Sequence, residues 1–367
     1  MYTSILSMHL LHLSEPVNLG RTLGTLQAGS WLMHDLNAFE IAIKAKRGTA
    51  KVESYFHVDP RPLRYDNEGN RITLSTLVMR SGAIGDLLLL TPALTVFDEK
   101  SPSVLSCFKH HHELFSLFFG PRCISGLQKY PLPFEDIKNY SQIISLENTM
   151  ECDHTQHATD VFAQALGLKT PLADYRPIYH VTDAEKAATE KHIFKGRPTI
   201  AIQPKASVAN RDYPLPKWME VIRKLESQGW GVVILGRKGQ IPPMPPQWQN
   251  PFIRDLSQLD LSFRQSAAVL SQCAAFCGVD SAWAHMCHAL DIPAVVLFAA
   301  FDWKTRTSKA PKTIAVTGVG ECAPCNWHMH AGHQFPPNKP CSKVGLCTVL
   351  ADITPERIIS KINLVKP

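Results

Sequence analysis

The sequence predicts an α/β protein with two similar halves, each a parallel sheet flanked by helices. From Ile72 onward, short apolar runs alternate with helical patterns, which is the mark of a parallel sheet. The same rhythm restarts at Thr199. In addition, strands pass directly into glycine turns that open helices, most clearly in Leu77-Val78-Met79 followed by Arg80-Ser81-Gly82-Ala83-Ile84-Gly85-Asp86. Two facing halves of this kind imply a cleft, with ligand sites at the strand C-termini.

Residues 1–70 do not share this rhythm. Pro16–Leu23 and Gln27–Leu32 are short strand candidates, Asp35–Lys46 has helical spacing, and Ala50–Tyr55 is a further strand. This stretch reads as a small β-rich appended module, for docking or oligomerisation, or as an extension with only local structure. Arg61–Arg71 is a linker rich in Pro, Asp, Asn and Gly. A first Rossmann-like domain then spans 71–180, with strands at Leu77–Met79, Ser103–Phe108 and Gln142–Leu146 and helices after Asp86 and over His110–Phe119 and Thr159–Leu166. The triplet His110-His111-His112 points in three directions around a helix, which suits a solvated helix start. Pro171–Val181 crosses to a second domain over 181–350, opened by a helix at Asp183–Phe194. Its strands are Thr199–Gln203, Gly231–Leu235, Phe252–Leu256, Ala274–Gly278 and Ala294–Ala299; its helices are Lys217–Gln228, Ser262–Gln272 and Ser281–Leu290. A C-terminal segment, 351–367, carries a helix over Thr354–Leu364.

Composition excludes several classes. Lys and Arg total 38 against 32 Asp and Glu, a net charge of +6. That mild, scattered excess suits an anionic small ligand and argues against nucleic acid. Met1–Leu13 is apolar but lacks a basic n-region and a cleavage site, so it is not read as a signal peptide. No apolar run reaches the length of a bilayer span. The expected setting is cytoplasmic, with at most peripheral membrane contact.

Gly82 and Gly85 permit a tight turn with backbone close to a ligand. Asp86 sits at the start of the following helix, either as a cap that favours the helix dipole or as a functional carboxylate. After the strand Thr199–Gln203, the loop Gln203-Pro204-Lys205-Ala206-Ser207 with Arg211 offers Lys205, Ser207 and Arg211 as phosphate donors. Gly278-Val279-Asp280-Ser281-Ala282-Trp283-Ala284-His285 is a strand-to-helix turn suited to a diphosphate.

In this order, from about Leu74 to Lys361, these motifs resemble glycosyltransferase family 9, which contains the ADP-heptose:lipopolysaccharide heptosyltransferases. The resemblance implies a GT-B fold, two Rossmann-like domains facing across a cleft, here with a small N-terminal extension. It also implies an inverting transferase without a catalytic metal, and the chain has no Asp-x-Asp motif. By position, Asp86 matches the proposed general base, Gly82 and Gly85 lie on the acceptor side, and Arg211 matches the cation opposing the diphosphate. Asp280, Ser281 and His285 match the turn over the donor; the alternative for His285 is a satisfied helix histidine. Lys205 and Ala282 replace two family glycines. After Leu235-Gly236, where relatives often carry an acidic residue that meets the donor ribose, the nearest candidate is Gln240.

Four of the ten cysteines, Cys322, Cys325, Cys341 and Cys347, crowd into the tail as two close pairs across a loop. That spacing suits a tetrahedral thiolate site for Zn, or Fe, of structural kind. His328, His330 and His333 are substitute ligands, and free thiols or a disulfide are the competing readings. The expected activity is transfer of a heptose or similar sugar from a nucleoside diphosphate donor, ADP-heptose or similar, to a glycan, lipid-linked or protein acceptor. The alternative is a catalytically lapsed relative that binds a sugar or nucleotide or acts as a scaffold. A nicotinamide-dependent Rossmann enzyme fits poorly, because Gly82-x-x-Gly85 lacks the three-glycine pattern.

Overall fold

The computed structural model describes residues 149–245, 250–326, 341 and 345–366, and before them 76–80, 82–101, 103–107, 111, 114–115, 140, 142–146 and the remaining strands. The chain divides into two compact units: Met1–Gly82, Leu94–Glu147 and Ala165–Leu168 form one, and Ala83–Ala93, Asn148–Gln164 and Lys169–Pro367 the other.

In the first unit, β1 (Met8–Leu13) pairs antiparallel with β4 (Gly29–His34) and β5 (Ala50–Tyr55). β2 (Val17–Asn18) pairs antiparallel with β3 (Thr25–Leu26), and β6 (Arg64–Tyr65) with β7 (Arg71–Ile72). Sequence reading missed β1, a strand defined by its two neighbours more than by its own pattern; the expected helix over 35–46 lies outside the described residues. The parallel sheet contains β8 (Thr76–Met79), β9 (Ser103–Cys107), β10 (Cys123–Ser125) and β12 (Gln142–Ser145), in the order β10-β9-β8-β12. Between them in sequence, β11 (Leu132–Pro133) returns to pair with β4, so the antiparallel sheet belongs to the same unit. His111 is buried, not solvated as its charge pattern suggests.

Helix α1 (Ile84–Asp98) leaves β8. Its continuous apolar run is explained by burial, since Leu87 through Leu90, Ala93 and Leu94 are all inaccessible or nearly so. Pro92 lies inside it and cannot donate to the carbonyl of Leu88, which instead accepts from the Thr91 hydroxyl at 2.7 Å.

The second unit is built on six parallel strands: β13 (Thr199–Gln203), β14 (Gly231–Ile234), β15 (Ile253–Asp255), β16 (Ala275–Val279), β17 (Ala294–Phe298) and β18 (Thr313–Thr317). Their order, β15-β14-β13-β16-β17-β18, is that of a doubly wound dinucleotide-type sheet. The edge strand β18 escaped sequence reading because Thr313, Ile314 and Ala315 are only half-buried and give no continuous apolar run. Helices α2 (Thr149–Cys152), α3 (Ala158–Ala165), α4 (Asp183–Thr189), α5 (Leu215–Ser227), α6 (Phe263–Leu270), α7 (Ala282–Ala289), α8 (Thr348–Ala351) and α9 (Pro355–Ile362) complete this unit. Helix α5 starts two residues earlier than its apolar spacing indicates, because proline is well tolerated in a first turn. Trp218, Val221, Ile222 and Leu225 on α5 pack with Ile358 and Ile362 of α9 in one core, and the Tyr213 hydroxyl donates to the carbonyl of Ile353 at 2.7 Å.

Candidate active site

The strand order reverses between β13 and β16, and a sheet of this kind opens a crevice at the C-terminal ends of those two strands. Those ends carry Gln203 and Asp280. Gln203 is buried, and its carboxamide oxygen accepts from the Ser281 hydroxyl at 3.0 Å while its amide group donates to the carbonyl of Lys205. One side chain therefore ties the 204–207 loop to the turn that starts α7. Sequence reading placed Gln203 in the motif without giving it a role; its position as the last residue of a strand was the available signal.

The loop after β13 is closed by its own charges. Lys205 Nζ lies 2.8 Å from Asp212 Oδ2, and the Ala206 amide donates to Asp212 Oδ1 at 2.9 Å. Arg211 Nη2 donates to the Ser207 hydroxyl at 3.0 Å. Gln240 spends both ends of its carboxamide on backbone, donating to Ala206 O at 2.9 Å and accepting from the Arg237 amide at 3.2 Å. It braces two loops against each other. Gly236 is explained by packing, since a Cβ there would come within 3.0 Å of Ile241 Cδ1 and 3.1 Å of Ser257 Cβ.

Asp280 is buried, with Oδ2 3.7 Å from Arg211 Nη1. That oxygen and the Nε of Arg211 are both buried without a hydrogen bond. Ser281 is the N-cap of α7 in extended backbone and makes no side-chain cap bond, so the first amides of α7 are left for another acceptor.

Residues 83–93 lie in this same unit, which brings Gly85 and Asp86 to α7. A Cβ on Gly85 would stand 3.2 Å from His285 Cδ2 and 3.3 Å from Ala282 Cα, so the N-terminus of α1 and that of α7 meet at a glycine. Asp86 is half-buried, and its Oδ2 accepts from the Ala83 amide at 2.9 Å, the reach-back of a capping acid. Burial holds His285 well below its usual pKa; nearby Arg306 is the next cause, then His157, His288 and Arg211. It is a neutral imidazole against Gly85 at neutral pH.

Two residues of this neighbourhood carry no motif. Arg306, following a short turn over Trp303–Thr305, is buried; its guanidinium faces the Phe301 ring at 4.9 Å and its Nη1 points to the Met150 sulfur at 3.8 Å. His157 donates from Nε2 to Arg306 O at 3.2 Å and accepts at Nδ1 from the Thr159 amide at 3.3 Å. The Thr159 hydroxyl in turn donates to Leu89 O at 2.8 Å, which pins α3 to α1.

The four tail cysteines line a single cavity of about 20 Å³ with Asn210, Ala299, Ala323 and Thr348. Its size suits a single ion or water, and its donors are soft. The described cysteines form no disulfide. Among the described residues no three Cys, His, Asp or Glu side chains are gathered tightly enough to hold a metal, so the closed tetrahedral set expected from spacing is not formed. His328, His330 and His333 lie outside the described residues. Burial raises the Cys347 thiol pKa, and the nearby Cys325 and Cys322 add to that rise.

Comparisons with known proteins agree with this architecture. No curated protein sequence matches the chain. Among solved structures, ADP-heptose lps heptosyltransferase II of E. coli aligns with a TM-score of 0.58 at 17% identity, covering 80% of this chain and 98% of its own. The iron-containing dodecameric glycosyltransferase TibC of enterotoxigenic E. coli aligns with a TM-score of 0.58 at 14% identity, covering 98% of this chain and 91% of its own. The E. coli heptosyltransferase WaaC, solved with ADP-2-deoxy-2-fluoro heptose, aligns with a TM-score of 0.51 at 14% identity, covering 79% and 99%. These likenesses establish the GT-B fold. The sequence profile of glycosyltransferase family 9 (heptosyltransferase) matches residues 139–331, more than half of the chain. The chain therefore belongs to glycosyltransferase family 9, and is a glycosyltransferase.

Proposed function

We propose that the enzyme transfers a heptose or similar sugar from ADP, or a related nucleoside diphosphate, to an acceptor hydroxyl with inversion and without a catalytic metal. The observation that carries this reading is the meeting of α1 and α7 at Gly85, which puts the Asp86 carboxylate in the same unit and neighbourhood as Arg211 and the amide end of α7. Asp86 accepts the proton of the acceptor hydroxyl. The hydroxyl oxygen bonds to the anomeric carbon as the bond from that carbon to the diphosphate oxygen breaks. The electron pair goes to the phosphate, where Arg211, Ser207, Ser281 and the first amides of α7, with Ala282 and His285 shaping its start, meet the growing negative charge. Asp280 orients Arg211, while Lys205, Gly236 and Gln240 shape the loops around the donor. Gly82, on the acceptor side, lets the turn before α1 stay close to the acceptor, while Gly85 lets α1 approach α7. ADP-linked heptose is the first donor to test, because a TibC structure holds ADP-D-beta-D-heptose. A cytoplasmic glycan, lipid-linked or protein acceptor, lipopolysaccharide core included, completes the reaction, with oligomerisation through residues 1–70.

A second reading, a lapsed transferase that binds or scaffolds, draws on one observation: Lys205, the replacement for a family glycine, is held by Asp212. Incubating the purified chain with ADP-, UDP- and GDP-linked sugars separates the two. Slow release of nucleoside diphosphate from an ADP-linked sugar is the expected result; no release from any member of the panel, whether or not one of them binds, favours the lapsed reading.

The tail cavity is proposed to hold one structural Zn or Fe on Cys322, Cys325, Cys341 and Cys347, after the thiols close around it. The bound ion would join the chain on either side of the 327–340 segment. About one equivalent of metal per chain is expected by elemental analysis, falling in Cys322→Ser and Cys347→Ser variants. Four freely titratable thiols and no metal in the purified protein would leave the free-thiol reading.

A further inference from the structure

The setting of Arg306 calls for an anion that the protein itself does not place in contact with it. Its side chain is buried, yet among the described residues no carboxylate approaches within the 4.0 Å of an ion pair. Its guanidinium meets a thioether sulfur and an aromatic face. A cation taken out of water without an anionic partner is unfavourable, unless a ligand supplies the missing charge.

The surroundings indicate where that charge would sit. The guanidinium of Arg211 faces the same Phe301 ring, at 5.8 Å against 4.9 Å for Arg306, so two cations flank one phenyl group. Arg211 Nε and Asp280 Oδ2, both buried, lack hydrogen bonds here, and the two side chains are 3.7 Å apart at their nearest atoms. Burial draws the Arg306 pKa down; Asp280, Asp86 and, more weakly, Glu151 draw it back up and Arg211 opposes them, so these carboxylates act on it from a distance without pairing with it. A guanidinium remains charged in such a place and offers a planar fork that matches phosphate oxygens.

We propose that Arg306 is a second arginine of the donor site, which with Arg211 holds the terminal phosphate of the nucleoside diphosphate. This rests on the donor reading above. As the anomeric carbon leaves that phosphate, its oxygen keeps the bonding pair and gains a full negative charge, and Arg306 meets that charge from the buried side. The His157 bond to the Arg306 carbonyl holds the backbone that carries the guanidinium.

The experiment compares binding of ADP and of AMP to the full chain by titration calorimetry, for the wild type and for Arg306→Met and Arg306→Lys. Kinetics with the donor found in the sugar-nucleotide panel and unliganded melting temperatures are measured alongside. Arg306→Met is expected to weaken ADP by about 10- to 100-fold and AMP by less than about 3-fold, with kcat falling more than KM rises. Arg306→Lys, which keeps the charge but loses the fork, is expected to recover part of the ADP preference. Equal losses for ADP and AMP, or none, would show a merely structural arginine and overturn the inference while leaving the donor reading intact. Should the methionine variant not fold, the same ratio is read from Arg306→Lys and Arg306→Gln. A wild type that binds no nucleoside diphosphate overturns the donor reading and this inference with it.

Discussion

Asp86→Asn is expected to lower transfer by roughly 10²- to 10⁴-fold, the usual contribution of a general base, while ADP affinity stays within about threefold. Asparagine is the informative substitution because its carboxamide oxygen can still accept from the Ala83 amide, as Asp86 Oδ2 does at 2.9 Å. The cap of α1 is thereby kept and only the basicity is lost. Asp86→Ala removes both functions and should cost about 1 kcal/mol of stability in addition. Steady-state transfer assays and ADP titrations on the two variants decide the matter. If Asp86→Asn transfers sugar at the wild-type rate, the base lies elsewhere and Asp86 is a cap. If it loses transfer and nucleotide binding together, the carboxylate organises the site and does not act on the acceptor.

Acid should destabilise the second unit through His157. Burial pushes its pKa down from 6.5 to about 4, against the opposing pull of Asp160. A folded-state pKa below the unfolded one means that the unfolded chain binds the proton first. The stability linked to His157 is therefore complete above pH 6.5, falls as the pH drops toward 4, and levels off below that. The total loss is about 3 kcal/mol, from roughly 1.4 kcal/mol per pKa unit. His285, also depressed by burial, acts in the same direction. Urea unfolding from pH 7.5 to 4 measures the slope, and His157→Gln, which can still donate to the Arg306 carbonyl, should remove the His157 share. An unchanged slope in that variant would assign the acid sensitivity to other groups.

The alternation of strands and helices was legible because burial of a parallel strand leaves a short apolar run, and burial of a helix a longer one. β13 was read to the residue, and β16 and β17 to within one. The Gly82–Asp86, Gln203–Arg211 and Asp280–His285 motifs were legible for a related reason: each joins a strand to a turn or helix, so its residues are neighbours in sequence. Strands whose identity depends on partners, β1 and β18, were not.

The amino-acid sequence by itself determined the α/β class and the two parallel sheets through local apolar pattern, the location of the tail cysteines through spacing, and the family through the resemblance of its ordered motifs. Only the tertiary structure decided that residues 83–93 join the second unit, that Lys205 is held by Asp212 and Gln240 by two backbone groups, and that Asn210 lines the cysteine cavity. It also decided the surroundings of Arg306, 26 positions beyond Asp280 and far from any motif. Burial and charge pairing are sums over neighbours distant in the chain, and a local pattern holds no record of which of them folding will bring together.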